Sequence, residues 1–145
     1  MTRIDFYHYA ADKQAFACRL ATKAYEQHKR LVVYSPDAPA LRRFDQQLWT
    51  FQATRFVPHC FAGDKLAAQT PVILSTGEGD LPHHDVLLNL GDEWPPSFAS
   101  FERLLEIVAV DEEDKNKARG RYRFYKERGY DIKVNAIEAE RRQGE

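Results

Sequence analysis

Short apolar runs alternate along this chain with longer segments that carry apolar residues at helical spacing. Each run has about the length of one strand, and several are rich in β-branched or aromatic residues. Leu31–Tyr34 has the continuous apolar character of an interior strand, and Tyr130–Val134 is predicted as a last edge strand. The predicted strands are Ile4–Tyr9, Leu31–Tyr34, Val72–Ser75, Val86–Leu90, Leu104–Val110 and Tyr130–Val134.

The first two amphipathic segments lie between the early strands. Lys13–His28 repeats apolar residues such as Phe16 and Leu20 on one side, which predicts a helix. A second helix is expected to begin with Ser35 as its cap and to end near Trp49. Strands that alternate with helices in this way are typical of βαβ units.

The third amphipathic segment, Asp111–Arg128, is strongly charged. Its acidic residues come first and its cations later, which is the order that the helix dipole favours. Gly129 suits the end of a helix. These elements together predict one α/β domain over residues 1–135, a three-layer α/β/α fold with a mainly parallel, Rossmann-like sheet. The polar residues 136–145 are expected to fray.

Composition narrows the functional classes. The formal net charge is −1 over 145 residues, so the chain lacks the excess of cations that bulk nucleic-acid binding requires. Cys18 and Cys60 stand outside any CxxC spacing and are interpreted as two buried thiols in a reducing compartment. No apolar run approaches the roughly 20 residues of a membrane span. We therefore expect a cytoplasmic protein without a membrane partner.

The sequence evidence for a catalytic site is weak. A sheet of this kind often binds nucleotides, but the chain has no GxxxxGK[ST] motif and no glycine-rich first turn. His59–Cys60 and His83–Asp85 contain metal-ligand residue types without a metal-binding spacing, so surface loops are predicted there. An enzyme on the same fold, either a small nuclease or a nucleotide-binding enzyme, is the alternative. The nuclease interpretation depends on carboxylates near predicted strand ends, which are Asp64, Asp80, Asp85 and Asp92. We expect no catalytic residue, cofactor or metal.

An aromatic segment, Leu48–Pro58, fits neither a strong helix nor a strong strand. Trp49 and Phe56 in this segment have two interpretations. They pack in the core, as large aromatic side chains usually do, or they form an exposed patch that anchors another protein. The residues alone do not decide between the two.

The charged helix has a face that is cationic and aromatic at once. Lys115, Arg119 and Arg123 recur at intervals of four residues, and Tyr122 lies beside them. A solvated helix with Tyr122 on its buried side is one interpretation. The other is a binding site for a peptide carboxylate with flanking acids, because guanidinium groups match carboxylates and tyrosine rings accept apolar side chains. A direct single-stranded DNA binder that stacks bases on this face is a further alternative.

Several segments in order resemble the chi subunit of bacterial DNA polymerase III, from about Ile4 to Asp131. No single segment is specific, but the ordered set is. The segments are FYHY, FDQQLW, FVPH, AGD, PVIL, DVLLNL, FERLLEIV and ARGRYRFYKERGY.

This resemblance implies a non-catalytic accessory subunit of the clamp-loader assembly in DNA replication. Members of the family pair with the psi subunit and bind the acidic C-terminal tail of single-stranded-DNA-binding protein, which ends in an apolar residue with a free carboxylate. Contact with DNA is then indirect. If psi is missing in the source, the same surface is open to another partner such as a helicase.

The resemblance also implies site residues. Trp49 of the LW element and Phe56 of FVPH match the surface that faces psi. The tail-binding residues, matched through the basic helix and the apolar residue before it, are Val108, Lys115, Arg119, Tyr122 and Arg123. Arg123 stands where some relatives carry lysine, so its charge is kept while its reach differs. The segment Glu138–Glu145 has no counterpart.

Overall fold

The computed structural model describes residues 1–52 and 56–137, which form one sheet with helices on both faces. The seven strands lie in the order β3-β4-β2-β5-β6-β1-β7, and every neighbouring pair runs parallel. The predicted α/β fold with a Rossmann-like sheet is confirmed. The elements are β1 (Arg3–Ala10), α1 (Lys13–Glu26), β2 (Leu31–Tyr34), α2 (Ala38–Thr50), β3 (His59–Phe61), β4 (Val72–Ser75), β5 (Val86–Asn89), β6 (Arg103–Ala109), α3 (Glu112–Glu127) and β7 (Ile132–Ala136).

Both faces of the sheet are buried, each against its own helical layer. Helices α1 and α2 cover one face, where Phe16 and Phe44 pack with alternate residues of the strands. Helix α3 and the short 3-10 helix Phe98–Ser100 cover the other, where Ile4 and Tyr125 belong to the second core cluster. Because both faces are covered, the first three residues of β2, β4 and β5 are all apolar, and these strands read LVVY, VILS and VLLN.

The helix boundaries follow side-chain caps. Asp12 caps α1 by accepting a hydrogen bond from the Ala15 amide at 3.0 Å. The predicted Ser35 cap of α2 is wrong, because Asp37 takes this role and accepts from the Ala40 amide at 3.3 Å. The Ser35 hydroxyl instead accepts from the Asp37 amide and so supports the residue that caps the helix.

The edge strand β3 was not predicted, because three residues bounded by proline and a turn carry little periodic signal. The surface loops predicted at His59 and His83 are also wrong for these two side chains, which are 8% and 6% exposed. At the other edge, β7 lies where the last strand was predicted but begins two residues later, at Ile132.

Two further sequence predictions concern membrane-spanning segments and the polar end of the chain. None of the helices in residues 1–52 and 56–137 has the length and apolar character that crossing a bilayer demands. The predicted polar segment 136–145 lies outside the described residues from position 138 onward. Ala136 belongs to β7 and Ile137 is buried, so the ordered fold continues past the predicted boundary at residue 135.

Candidate functional site

Helix α3 begins at a well-formed cap that fixes the position of its cationic face. The Asp114 amide donates to the Asp111 carboxylate at 3.0 Å, and the acids of the first turn lie at the positive end of the helix. Ala118 and Tyr125 face the sheet and are buried. The opposite side of the helix consequently presents Arg119 and Arg123 to solvent.

A groove of about 300 Å³ lies between α3 and the edge of the sheet formed by β1, β6 and β7. The sheet extends beyond the helix at this edge, so that Val134 of β7 is 51% exposed. The groove brings together cationic, aromatic and aliphatic side chains. Its lining residues are Phe6, His8, Tyr9, Val108, Ala109, Lys115, Ala118, Arg119, Tyr122 and Val134.

Four of the five predicted tail-binding residues line this one groove. They are Val108, Lys115, Arg119 and Tyr122. Arg123 does not line it. It borders a neighbouring hollow of about 360 Å³ on the same helix, which shares Arg119 and Tyr122 with the groove. The structure therefore places all five predicted residues on one continuous surface, and their role in binding stays a prediction.

Among residues 1–52 and 56–137, the partners of the groove's cations are an exposed carboxylate and a neutral amide. The Lys115 ammonium lies 3.6 Å from Glu112, an exposed pair of the kind that contributes little to stability. The Arg119 guanidinium donates to the neutral side chain of Asn116. A carboxylate from outside would satisfy the Arg119 guanidinium better than the neutral Asn116 does, because it adds the attraction of opposite charges and can accept two parallel hydrogen bonds.

The aromatic ring of Tyr122 forms the inner wall of the groove. Its centroid lies 5.6 Å from that of Phe6 in an edge-to-face arrangement, and Val108, which also lines the groove, is 8% exposed. Arginine and lysine at the rim with a hydrocarbon surface inside suit a ligand that carries both a negative charge and an apolar group. An acidic peptide with an apolar last residue has this combination.

The predicted aromatic face lies at the opposite edge of the sheet. Trp49 and Phe56 are 54% and 53% exposed, and their ring centroids are 5.0 Å apart. The Trp49 ring also lies 4.9 Å from that of His59 in β3. His59 is held in turn by Val57, whose carbonyl oxygen lies 2.6 Å from the His59 Nδ1 atom. Of the two interpretations left open by the sequence, exposure is the one the structure supports for these two side chains.

A buried polar network under α3 was missed by the sequence analysis. Arg121 and Glu106 are 1% and 0% exposed, and the Arg121 Nε atom donates to Glu106 at 3.0 Å. The Tyr125 hydroxyl donates to the other Glu106 oxygen at 2.6 Å, and the Asn89 amide group donates to both. Arg121 also donates to the carbonyl of Asp92 at 2.8 Å. These contacts attach α3 to β5 and β6 and so hold the groove wall in place.

Burial raises the pKa of the Glu106 carboxyl, and Arg121, Tyr125 and Asn89 oppose this shift by stabilising the ionised form. Two sequence signals point to the network. Glu106 is the single acidic residue inside the apolar strand RLLEIVA. Arg121 follows Ala118 by three residues and precedes Tyr125 by four, which places it on the buried stripe of the helix.

Asp114 joins α3 to the end of β6 and to the start of α1, and it makes folding dependent on pH. Burial acts to raise its pKa, but the hydrogen bond from the Ala109 amide and the Lys13 ammonium outweigh this, so the pKa lies below its ordinary value of 3.8. The Ala109 and Lys13 nitrogens lie 2.8 and 3.1 Å from the carboxylate. A depressed folded-state pKa stabilises the protein above the unfolded-state pKa, and this stabilisation is lost as pH falls through the folded-state value.

We expect Asp114→Asn to destabilise the protein near neutral pH and to have a much smaller effect in acid. The asparagine still accepts from Ala109 but loses the charge that pairs with Lys13. Urea unfolding of both proteins at about pH 7 and about pH 3 measures the difference. An equal loss of stability at both pH values would contradict the assignment of this charge.

The other candidate metal ligands and nucleophiles do not form a site within the described residues. In residues 1–52 and 56–137, no group of three or more His, Cys, Asp and Glu side chains is arranged to hold a metal ion. Cys18 and Cys60 are unpaired, and burial raises the pKa of the Cys18 thiol to about 12. Cys18 is therefore protonated and a poor nucleophile. Cys60 is only half-buried, which differs from the prediction of two buried thiols.

Comparison with known proteins agrees with the resemblance seen in the sequence. Residues 1–133 match the family described as "DNA polymerase III chi subunit, HolC". The chain is 37% identical over 141 residues to DNA polymerase III subunit chi of Pseudomonas aeruginosa, covering 94% of this chain and 98% of the relative. It is 27% identical to the Haemophilus influenzae subunit, over 86% of this chain and 87% of that protein.

The Escherichia coli chi subunit is 25% identical to this chain, with 82% of each protein covered. The family match includes six of the seven described strands in full and the start of the seventh, and it contains the residues of both candidate surfaces except Val134. The chain belongs to the chi-subunit family of DNA polymerase III.

Proposed function

We propose that this chain is a bridging subunit of the cytoplasmic replication machinery without catalytic activity of its own. Its aromatic face, Trp49 and Phe56, binds the psi subunit and so joins the clamp-loader assembly. Its groove binds the acidic C-terminal tail of single-stranded-DNA-binding protein. The chain thereby connects the polymerase to protein-coated single-stranded DNA and contacts the DNA itself only indirectly.

The separation of the two surfaces is the observation that carries this proposal. Trp49 packs beside β3 and Val134 lies in β7, the two outer strands of the sheet. Neighbouring strands are spaced about 4.8 Å apart, so the seven-stranded sheet keeps these edges roughly 30 Å apart. Two protein partners have room to bind at the same time, which a bridging subunit requires.

The chemistry of the groove supports an acidic tail as its ligand. Lys115 and Arg119 lie at the rim, where acidic residues and a terminal carboxylate pair with them. Val108 and Tyr122 provide the apolar surface for the last side chain of the tail. Single-stranded DNA coated with the partner presents many tails, so a weak contact gains strength through high effective concentration.

Arg119→Ala is expected to weaken binding of a tail peptide by about 1–3 kcal/mol, because a charged hydrogen bond to the carboxylate is lost. The dissociation constant then rises about thirtyfold in the middle of this range. Isothermal titration calorimetry with an acidic peptide that ends in an apolar residue measures the change. The wild-type affinity should also fall as salt is added, since exposed charges are screened within about 8 Å at physiological ionic strength.

Arg30→Ala is the matched control, since it removes the same charge from an exposed position before β2. It should leave the peptide affinity unchanged. A peptide with an amidated C-terminus should bind the wild-type protein more weakly and should lose most of the difference between wild type and Arg119→Ala. If Arg119→Ala and Arg30→Ala bind the free-acid peptide equally well, the groove is not the tail site.

A further inference from the structure

Tyr9, the last residue of the FYHY segment, has an unusual backbone conformation at the end of the groove. Its φ angle is 73°, in the left-handed region that bulky side chains rarely occupy. It lies at a bulge in β1, because His8 pairs with Val108 and Ala10 pairs with Ala109, which leaves Tyr9 without a partner in β6. The chain therefore holds a strained tyrosine where glycine or asparagine would fit more easily.

The bulge changes the direction in which the Tyr9 ring points. Successive side chains of a regular strand lie on opposite faces of the sheet, so Tyr9 and His8 would normally be separated by the sheet. Instead their rings stack, with centroids 4.2 Å apart and planes inclined by 27°. Both residues line the groove together with Val134. The strained backbone thus brings the ring of Tyr9 to the side of the sheet that carries α3.

We propose that Tyr9 is a specificity-determining residue of the groove, and this inference rests on the function proposed above. Its ring and Val134 form an apolar wall on the sheet side, facing the cations of α3 across the groove. Together with Val108 and Tyr122, this wall receives the apolar side chain of the last residue of the tail while Arg119 and Lys115 bind the carboxylate. The groove then selects for a large apolar terminal residue as well as for negative charge.

Exposure of this wall supports the assignment. Tyr9 is 42% exposed and Val134 is 51% exposed, so neither is used to fill the protein core. Both lie at the open edge of the sheet, where only β1 pairs with β7 among the described strands. A strained conformation that is retained without a packing role is typical of positions that serve binding. One face of the Tyr9 ring is stacked against His8, and the other face is open to a ligand.

The test compares two synthetic peptides that are equally acidic and carry a free C-terminal carboxylate. One ends in phenylalanine and the other ends in alanine. Tyr9→Gly removes the ring and accommodates the left-handed backbone without strain, so its unfolding midpoint should not fall. We expect it to weaken binding of the phenylalanine peptide on the order of tenfold, the scale of one aromatic contact at an interface. Binding of the alanine peptide should change little.

His28→Gly is the matched control, because His28 also has a positive φ angle, 60°, and is exposed after α1 at a distance from the groove. It should leave both affinities unchanged. Tyr9→Phe should bind like the wild type, since the ring and not the hydroxyl forms the wall. If the midpoint of Tyr9→Gly falls, Tyr9→Asn gives the same comparison with a residue that tolerates this conformation.

The outcomes separate this inference from the proposed function. If Arg119→Ala weakens binding while Tyr9→Gly binds both peptides like the wild type, the apolar wall is refuted and the proposed function stands. If Tyr9→Gly weakens both peptides equally, the ring does not read the terminal side chain and the inference also fails. If neither variant affects either peptide, the proposed function fails together with the inference.

Discussion

Replacing Arg121 by alanine is expected to destabilise this protein by about 3–5 kcal/mol, because it leaves the Glu106 carboxylate buried without its cationic partner. Glu106 is 0% exposed and cannot recover its lost interaction from water without a movement of α3. A domain of this kind has a free energy of unfolding of only about 5–15 kcal/mol, so the loss is a large fraction of the total. Urea unfolding followed by tryptophan fluorescence measures it.

Arg123→Ala is the matched control for this prediction. It removes the same side chain two positions further along the same helix, where the arginine is exposed, and should change stability by less than about 0.5 kcal/mol. The double variant Glu106→Gln with Arg121→Met should recover much of the loss, because it removes both charges and leaves no ion unpaired. Equal stability of Arg121→Ala and Arg123→Ala would show that the buried pair does not fix α3.

The fold could be predicted from the sequence because the apolar runs that mark its strands are local and recur along the chain. The strands β2, β4 and β5 are continuous apolar runs, and β6 is nearly so, so both of their faces had to be covered. The strand β3 carries no such signal, because its three residues, HCF, do not form an apolar run. In the structure they range from buried His59 to exposed Phe61. Its place in the sheet comes from pairing with β4, a long-range contact that local periodicity does not contain.

The candidate site was predicted in part for a similar reason. Lys115, Arg119 and Arg123 repeat at helical spacing, so their common face was readable from the sequence. Arg121 lies between Arg119 and Arg123 in the sequence, but its ion pair with Glu106 joins α3 to β6 and is buried. The position of Tyr9 depends on a bulge in β1, and a single irregular residue leaves no periodic trace. Helical spacing therefore predicts the cationic face of α3, whereas tertiary contacts determine which of the helix's cations are exposed to a ligand.

Replacing Trp49 by alanine is expected to weaken binding of psi by about 2–4 kcal/mol, the range of an aromatic residue at the centre of a protein interface. The indole is 54% exposed in the unbound chain, so its burial on binding provides the gain. It is also held in place, with the rings of Phe56 and His59 5.0 and 4.9 Å away. Little side-chain entropy is then lost when the partner binds.

Trp94→Ala is the control for Trp49→Ala, since Trp94 is 40% exposed but stacks on Phe124 of α3, with ring centroids 3.7 Å apart. The affinities of Trp49→Ala, Trp94→Ala and Arg119→Ala for psi and for the tail peptide are measured by calorimetric titration. Because Trp49 and the groove lie at opposite edges of the sheet, Trp49→Ala should reduce psi binding alone and Arg119→Ala should reduce peptide binding alone. If each variant weakens both partners equally, the two contacts share one surface, and a chain with a single surface cannot connect two partners at once.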